Sequence, residues 1–243
     1  MKRIIAVLLV VALLPIGFIL YELSALTTNE KIIRETYQNQ LDAILYSINQ
    51  YSDDVVSSWA NRLNIALMEE KNVLDSTSGV PSVLEQFGAI QSIYFTDTKK
   101  ESVVFSRHHD EHRNSDLRQS LDSLVKQKKD RVDRLFQYET AGFRKMELLD
   151  TIPMKGPTPL FFVLNAGTPN YRLGAMLIHL PDFIENTLGP KMQAIAQEKF
   201  IITAFHMGTD SLIYTTSSAA PPDIMAPDEL QKESFWLLPG YYL

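Results

Sequence analysis

The chain has 243 residues, 45% of them apolar and 21% charged, so it holds room for one moderate domain with a sizeable core and is not disordered. Its formal net charge of −6, with no basic stripe interleaved with aromatics, argues against a nucleic-acid binder, which must neutralise phosphates with Lys and Arg. It contains no cysteine, which excludes disulfide frameworks, thiolate metal sites and cysteine nucleophiles.

Ile4 to Tyr21 is a run of 18 residues without charge, IIAVLLVVALLPIGFILY. About 20 apolar residues cross the hydrocarbon core of a bilayer, and Leu23 and Leu26 extend the run past Glu22. Pro15 and Gly17 are tolerated in a membrane helix. A cleaved signal peptide has a shorter apolar region ending on small residues, whereas Leu23-Ser24-Ala25 puts a bulky residue at the nearest candidate site. The run therefore reads as an uncleaved anchor. Lys2 and Arg3 precede it, and no basic residue follows until Lys31, which places the N-terminus in the cytoplasm and the bulk of the chain outside it. The closing FWLLPGYYL, Phe235 to Leu243, is too short for a second span and is interrupted by Pro239 and Gly240.

Residues 28–75 read as one long helix. Ile33, Tyr37, Leu41, Ile44, Ile48, Tyr51, Val55, Trp59, Leu63 and Ala66 recur every three or four positions. Thr28 or Asn29, followed by Glu30, offers a start. About 45 residues at 1.5 Å each make roughly 68 Å, a length that suits a stalk able to pair with a second copy. Trp59 on this seam reads as core. Ser82 to Gly88 is a short helix. The period then changes to two: Ile90 to Thr96 and Glu101 to Ser106 form a hairpin around Asp97 to Lys100. Residues 107–114 are a polar connection. Ser115 caps a helix to about Tyr138 with Leu117, Leu121, Leu124 and Val125 inward, and its KQKKDRVDR run is a solvated face. Residues 142–150 read as a strand, Pro153 to Pro159 as a loop, and Leu160 to Ala166 and Arg172 to Leu180 as strands about a turn at residues 167–170. Pro181 opens a helix that breaks at Gly189-Pro190. Phe200 to His206 and Leu212 to Thr215 make a last hairpin, and residues 217–230 a surface loop.

Hairpins separated by helices imply an antiparallel sheet covered on one face, hence an α+β domain packed on a long N-terminal helix. The expected division is 1–24 cytoplasmic tip and transmembrane anchor, 25–80 membrane-proximal helix, 81–220 sensor-like domain and 221–243 loop and closing segment.

This layout resembles the extracytoplasmic PAS-like sensor domains, often called Cache domains, of bacterial receptor kinases. The residues that carry the resemblance are the hairpin IQSIYFTDTKKESVVFS, the strand-then-helix RLGAMLIHLPDFIENTL and the closing FIITAFHMGTDSLIYTT. It covers roughly residues 1–220 and rests on pattern and order. It implies a small-metabolite pocket formed by the sheet and its loops, a homodimer, and signalling into a two-component histidine kinase at the bacterial inner membrane. The sequence departs from the family in lacking a second span, a phosphoacceptor-histidine helix and a glycine-rich ATP site. It reads either as the N-terminal part of a receptor or as a stand-alone sensor, and in neither case as an enzyme or a cofactor protein.

Candidate site residues follow from the resemblance and from side-chain chemistry. Arg107, Arg144 and Arg172 lie at strand ends or beside loops, where a guanidinium fork suits a carboxylate; each also reads as a surface arginine. Tyr138, Tyr171 and Asn165 are candidate pocket walls, although Asn165 equally suits the turn that follows it, and Tyr94 reads as strand burial. His108-x-x-Glu111-His112 matches an inverted zincin pattern, and His109 lies between, but the flanking Arg107 and Arg113 and the missing apolar period read as a solvated loop. Ser217 and Ser218 lack a nucleophile-elbow context. Three functional readings follow: a ligand-sensing receptor module, a single-span envelope scaffold, and an anchored metallohydrolase.

Overall fold

Helix α1 runs from Lys2 to Met68 without interruption, 67 residues with Pro15 inside it. The expected helix start at Thr28 or Asn29 is absent. Thr28 Oγ donates to the Ser24 carbonyl at 2.9 Å, and Thr27 Oγ does the same, so these hydroxyls are satisfied within the helix and cap nothing. The computed structural model describes residues 2–68, 79–96, 101–107, 111–149, 157–164, 172–197, 199–209, 211–217, 232–238 and 240–243, excluding the side chains of residues 2–12, 14, 68 and 172. The expected continuation of α1 to residue 75, the turns at 97–100 and 167–170, and the loop at 218–230 fall outside them. Among the described residues no helix is long and apolar enough to cross a membrane.

The chain divides into two units, Met1–Tyr46 and Ser47–Leu243. In the first, Leu26, Ile32, Ile33 and Tyr37 are exposed, and Lys31–Glu35 and Arg34–Glu30 form exposed pairs one turn apart.

In the second unit the α1 seam differs from the expected one. Ile48, Val56, Trp59, Leu63 and Leu67 are buried, whereas Tyr51, Val55 and Ala66 are only half-buried. Trp59 is core as expected: its ring lies 5.1 Å from Phe87, just past helix α2 (Gly79–Gln86), and 5.3 Å from Phe183.

The main sheet holds β1 (Ile90–Thr96), β2 (Ser102–Ser106), β3 (Met146–Glu147), β4 (Thr158–Leu164) and β5 (Arg172–Ile178) in the order β2-β1-β5-β4-β3, every pair antiparallel. Tyr94, Phe161, Leu173, Ala175 and Leu177 join Leu149 and the inward residues of α3 (Glu111–Gln127) and α4 (Lys129–Thr140) in one core cluster. Ile93, Phe95, Leu160, Phe162, Met176 and Ile178, on the other face by the two-residue period, are buried too. A sheet buried on both faces explains why its strands read as apolar runs.

Several boundaries are corrected. The helix expected from Ser115 begins at Glu111, an acidic residue in the positive first turn, and Ser115 lies inside it. It is two helices, because Lys126 to Arg131 offers no apolar side chain to hold a straight path; the chain turns at Lys128 and Val132 and Leu135 rejoin the core. The strand expected over 142–150 shrinks to β3. Strand β4 starts inside the expected loop and includes Pro159, which is tolerated because β3 pairs only with Phe161 and Phe162. Leu180 opens helix α5 (Leu180–Asp182) with Pro181 in second place. The expected break at Gly189-Pro190 is instead a widening: a π-helical turn, Phe183–Leu188, leads into α6 (Gly189–Ala196). Pro190 has no N–H for the carbonyl four residues back, and the wider turn absorbs that mismatch.

The last hairpin does not join the main sheet, whose central β5 already has β1 and β4 as neighbours. β6 (Thr203–His206) and β7 (Ser211–Thr215) form a second sheet with β8 (Tyr241–Tyr242), in the order β7-β6-β8. Phe205 stacks on Tyr242 with ring centroids 5.4 Å apart.

Candidate functional site

After α4 the chain reverses. Gly142, at φ +84, donates its N–H to the Glu139 carbonyl at 2.9 Å, a left-handed position suited to glycine. The reversal delivers Arg144, Lys145, Met146 and Glu147 opposite α1. There Asp53, Ser57, Asn61 and Asn64 fall three or four residues apart and so share one helix face. A cleft lies between these two walls, with Phe162 and Val163 of β4 at one end. It comprises two adjoining hollows that share Ser57, Arg144, Lys145 and Met146. The smaller, of about 90 Å3, is lined also by Asn61, Asn64 and Glu139. The larger, of about 520 Å3, runs past Asp53, Glu147 and Leu148 to Trp236 and Leu237.

The electrostatics are mixed. Arg144 Nη1 donates to Asn61 Oδ1, joining the two walls. Burial raises the pKa of the Glu139 carboxyl, and the positive charge of Arg144 opposes the rise. Asp53 is also raised, first by burial and then by neighbouring Asp54. Lys145 Nζ sits 4.6 Å over the Tyr138 ring. Arg131 braces the strand from α4: its Nε is 3.0 Å from Glu147 Oε1, and its Nη1 donates to the Leu148 and Leu149 carbonyls at 3.1 and 3.0 Å.

Of the residues singled out by sequence, Arg144 lines both hollows and Tyr138 lies under Lys145 at their margin. Arg107 is elsewhere. Its guanidinium donates to the Leu84 carbonyl in the last turn of α2 and to the Phe87 carbonyl just past it. Arg172 pairs by its backbone with Leu164, and its side chain lies outside the described atoms. Asn165, Tyr171, His108 and His109 lie outside the described residues. Glu111 and His112 occupy the exposed first turn of α3, a helix where a loop was expected. Among the described residues no three side chains able to ligate a metal are gathered together.

Sequence reasoning missed Asp53, Ser57, Asn61, Asn64, Glu139 and Trp236. The available signal was a polar stripe at helical spacing on α1, which reads as a solvated face until a strand is known to lie opposite. No family model, no curated protein and no solved structure matches this chain.

Proposed function

We propose that this chain is the extracytoplasmic sensing module of a single-pass bacterial receptor of the two-component kinase type, and that a small carboxylate entering the cleft biases the position of α1. The observation that carries this reading is that one continuous helix, α1, contains both the apolar run Ile4 to Tyr21 and the cleft residues Ser57, Asn61 and Asn64. A ligand touching α1 needs no intermediary to act on the anchor. The Arg144 guanidinium and two carboxamides suit a carboxylate, and the smaller hollow admits only a few heavy atoms. The PAS-like reading is supported by the order of the main sheet, whose first and last strands in the chain, β1 and β5, are adjacent, with helices between hairpins. Ligand binding shifts α1 only by its differential affinity for two helix positions, so a homodimer in the inner membrane is part of the proposal.

A second reading, an anchored envelope scaffold, is favoured by one observation. The sheet face beneath α3 and α4 is filled by Tyr94, Phe161 and Leu149 rather than hollowed.

A thermal-shift screen of the detergent-solubilised chain against small carboxylates, amino acids, sugars and divalent metals separates the two. A ligand at 100 times its Kd stabilises by about 2.7 kcal/mol. A carboxylate shift abolished by Arg144→Ala and kept in Arg107→Ala is expected. No shift from any class, with a stable dimer, transfers the assignment to the scaffold.

A further inference from the structure

The larger hollow raises a question separate from the small-ligand site. Its floor is a strand edge. Arg144 to Leu148, five consecutive residues, line it, and they include the whole of β3. Among the described residues β3 has one neighbour, β4, and closes its end of the sheet. In an antiparallel ladder alternate residues turn their N–H and C=O to opposite edges, so one of Met146 and Glu147 directs both groups away from β4. Such an edge templates a further strand.

The surroundings select the occupant. β3 itself supplies two residues of ladder, Met146 and Glu147, about 7 Å, and Arg144, Lys145 and Leu148 extend the trough on either side of it. The volume of about 520 Å3 falls within the roughly 300–1,000 Å3 of ligand-binding sites. Trp236, half-exposed, lines the same hollow and contributes aromatic surface to it. Arg144 and Lys145 bring two cations to the hollow against one carboxylate that forms no salt bridge among the described residues, Asp53, while Glu147 is ion-paired with Arg131 at 3.0 Å. An occupant that matches these features is extended, presents an apolar side chain to Trp236 and carries a carboxylate towards Arg144 and Lys145.

We propose that the trough along β3 docks an extended, apolar and acidic peptide segment of a partner protein, taken up as a sixth strand of the main sheet. Affinity comes from main-chain hydrogen bonds to β3, and selectivity from Trp236 and the two cations.

The test uses the full chain in detergent micelles and an array of acetylated heptapeptides in which every apolar residue is combined with Asp or Glu two positions on. Binding is read by polarisation of labelled hits. Array members of this composition are expected to bind, with at least a tenfold loss when alternate backbone nitrogens of the peptide are methylated, and a similar loss in Trp236→Ala and in Arg144→Glu. Met146→Pro and Glu147→Pro are both made, since one of the two residues carries the edge donor; because either can also unfold the domain, their melting temperatures are measured alongside, and the methylated peptides give the same answer on the unaltered protein. An array without binders, or binders indifferent to methylation, overturns the proposal. The same samples are titrated with acetate and glutamate: a shift that depends on Arg144 without peptide binding leaves the small-ligand reading standing and this one fallen.

Discussion

Asn49 holds the backbone of Trp236. Its side-chain Oδ1 accepts a hydrogen bond from the Trp236 N–H at 3.0 Å, while its Nδ2 donates to the Ser234 carbonyl at 3.3 Å. Asn49 is only 1% exposed, so α1 presents a buried amide that imitates one rung of a β-ladder. The segment leading into β8 is thereby fastened to α1 beside the larger hollow.

Replacing Asn49 by Ala leaves a backbone donor and acceptor without this partner at a part-buried site. The expected loss is about 1–3 kcal/mol of unfolding free energy, read by urea denaturation. Asn49→Asp keeps the acceptor but loses the donor and places a charge there, and is expected to be at least as damaging at neutral pH.

Gly189 meets Tyr214. A Cβ at position 189 would lie 2.8 Å from the Tyr214 ring, whose hydroxyl donates to the Gly189 carbonyl at 3.0 Å. Gly189→Ala must push β7 or its tyrosine aside, at about 1–3 kcal/mol. Gly88→Ala, with open space around it, is the control, expected to change stability far less.

Tyr94 OH donates to Asp122 Oδ1 at 2.8 Å, and Ser102 Oγ donates to Oδ2 at 2.9 Å, tying the first hairpin to α3. Burial first, and then Asp122, push the Tyr94 phenol far above its ordinary range, so it stays protonated. Tyr94→Phe is expected to cost about 1–3 kcal/mol by leaving one carboxylate oxygen short of a donor. Adding Asp122→Asn should recover part of that loss, measurable as a double-mutant cycle.

Glu139 sets a pH dependence. Its folded pKa is raised above the ordinary 4.5. The folded state therefore binds the proton more tightly than the unfolded chain, and this contribution to stability is full below 4.5 and fades as pH climbs through the raised value. Asp53 acts in the same sense. The melting temperature of Glu139→Gln relative to the parent is expected to rise as pH goes from 4 to 7. A difference that does not change with pH would remove Glu139 from this role.

How far the sequence discloses all this depends on which force fixed each part. The β1–β2 hairpin and β5 came through within a residue or two because their aromatic and branched runs have nowhere to go but a doubly covered sheet. The turn at Lys128 left only a gap between Val125 and Val132, which a continuous helix also permits. The π-helical turn before Pro190 reflects a local hydrogen-bond mismatch whose resolution depends on packing by Phe183 and Leu188. The second sheet escaped notice because β8 is two residues long and finds its partner by tertiary contact. Of the candidate site, Arg144 was legible from its place beside a strand. Asn61 and Glu139 were not, since a polar helix face announces solvent as readily as a cleft.

The neighbourhood of β1 and β5 has a consequence for biogenesis. Ile93 stands opposite Met176, roughly 80 residues further along the chain. Synthesis at about 5–20 residues per second leaves the inner edge of β1, with Ile93 and Phe95, unmatched for roughly 4–16 seconds after it emerges. Such a distant pairing also closes slowly. The chain thus passes through an interval in which this apolar strand is an open template, and a holding chaperone would act during that interval.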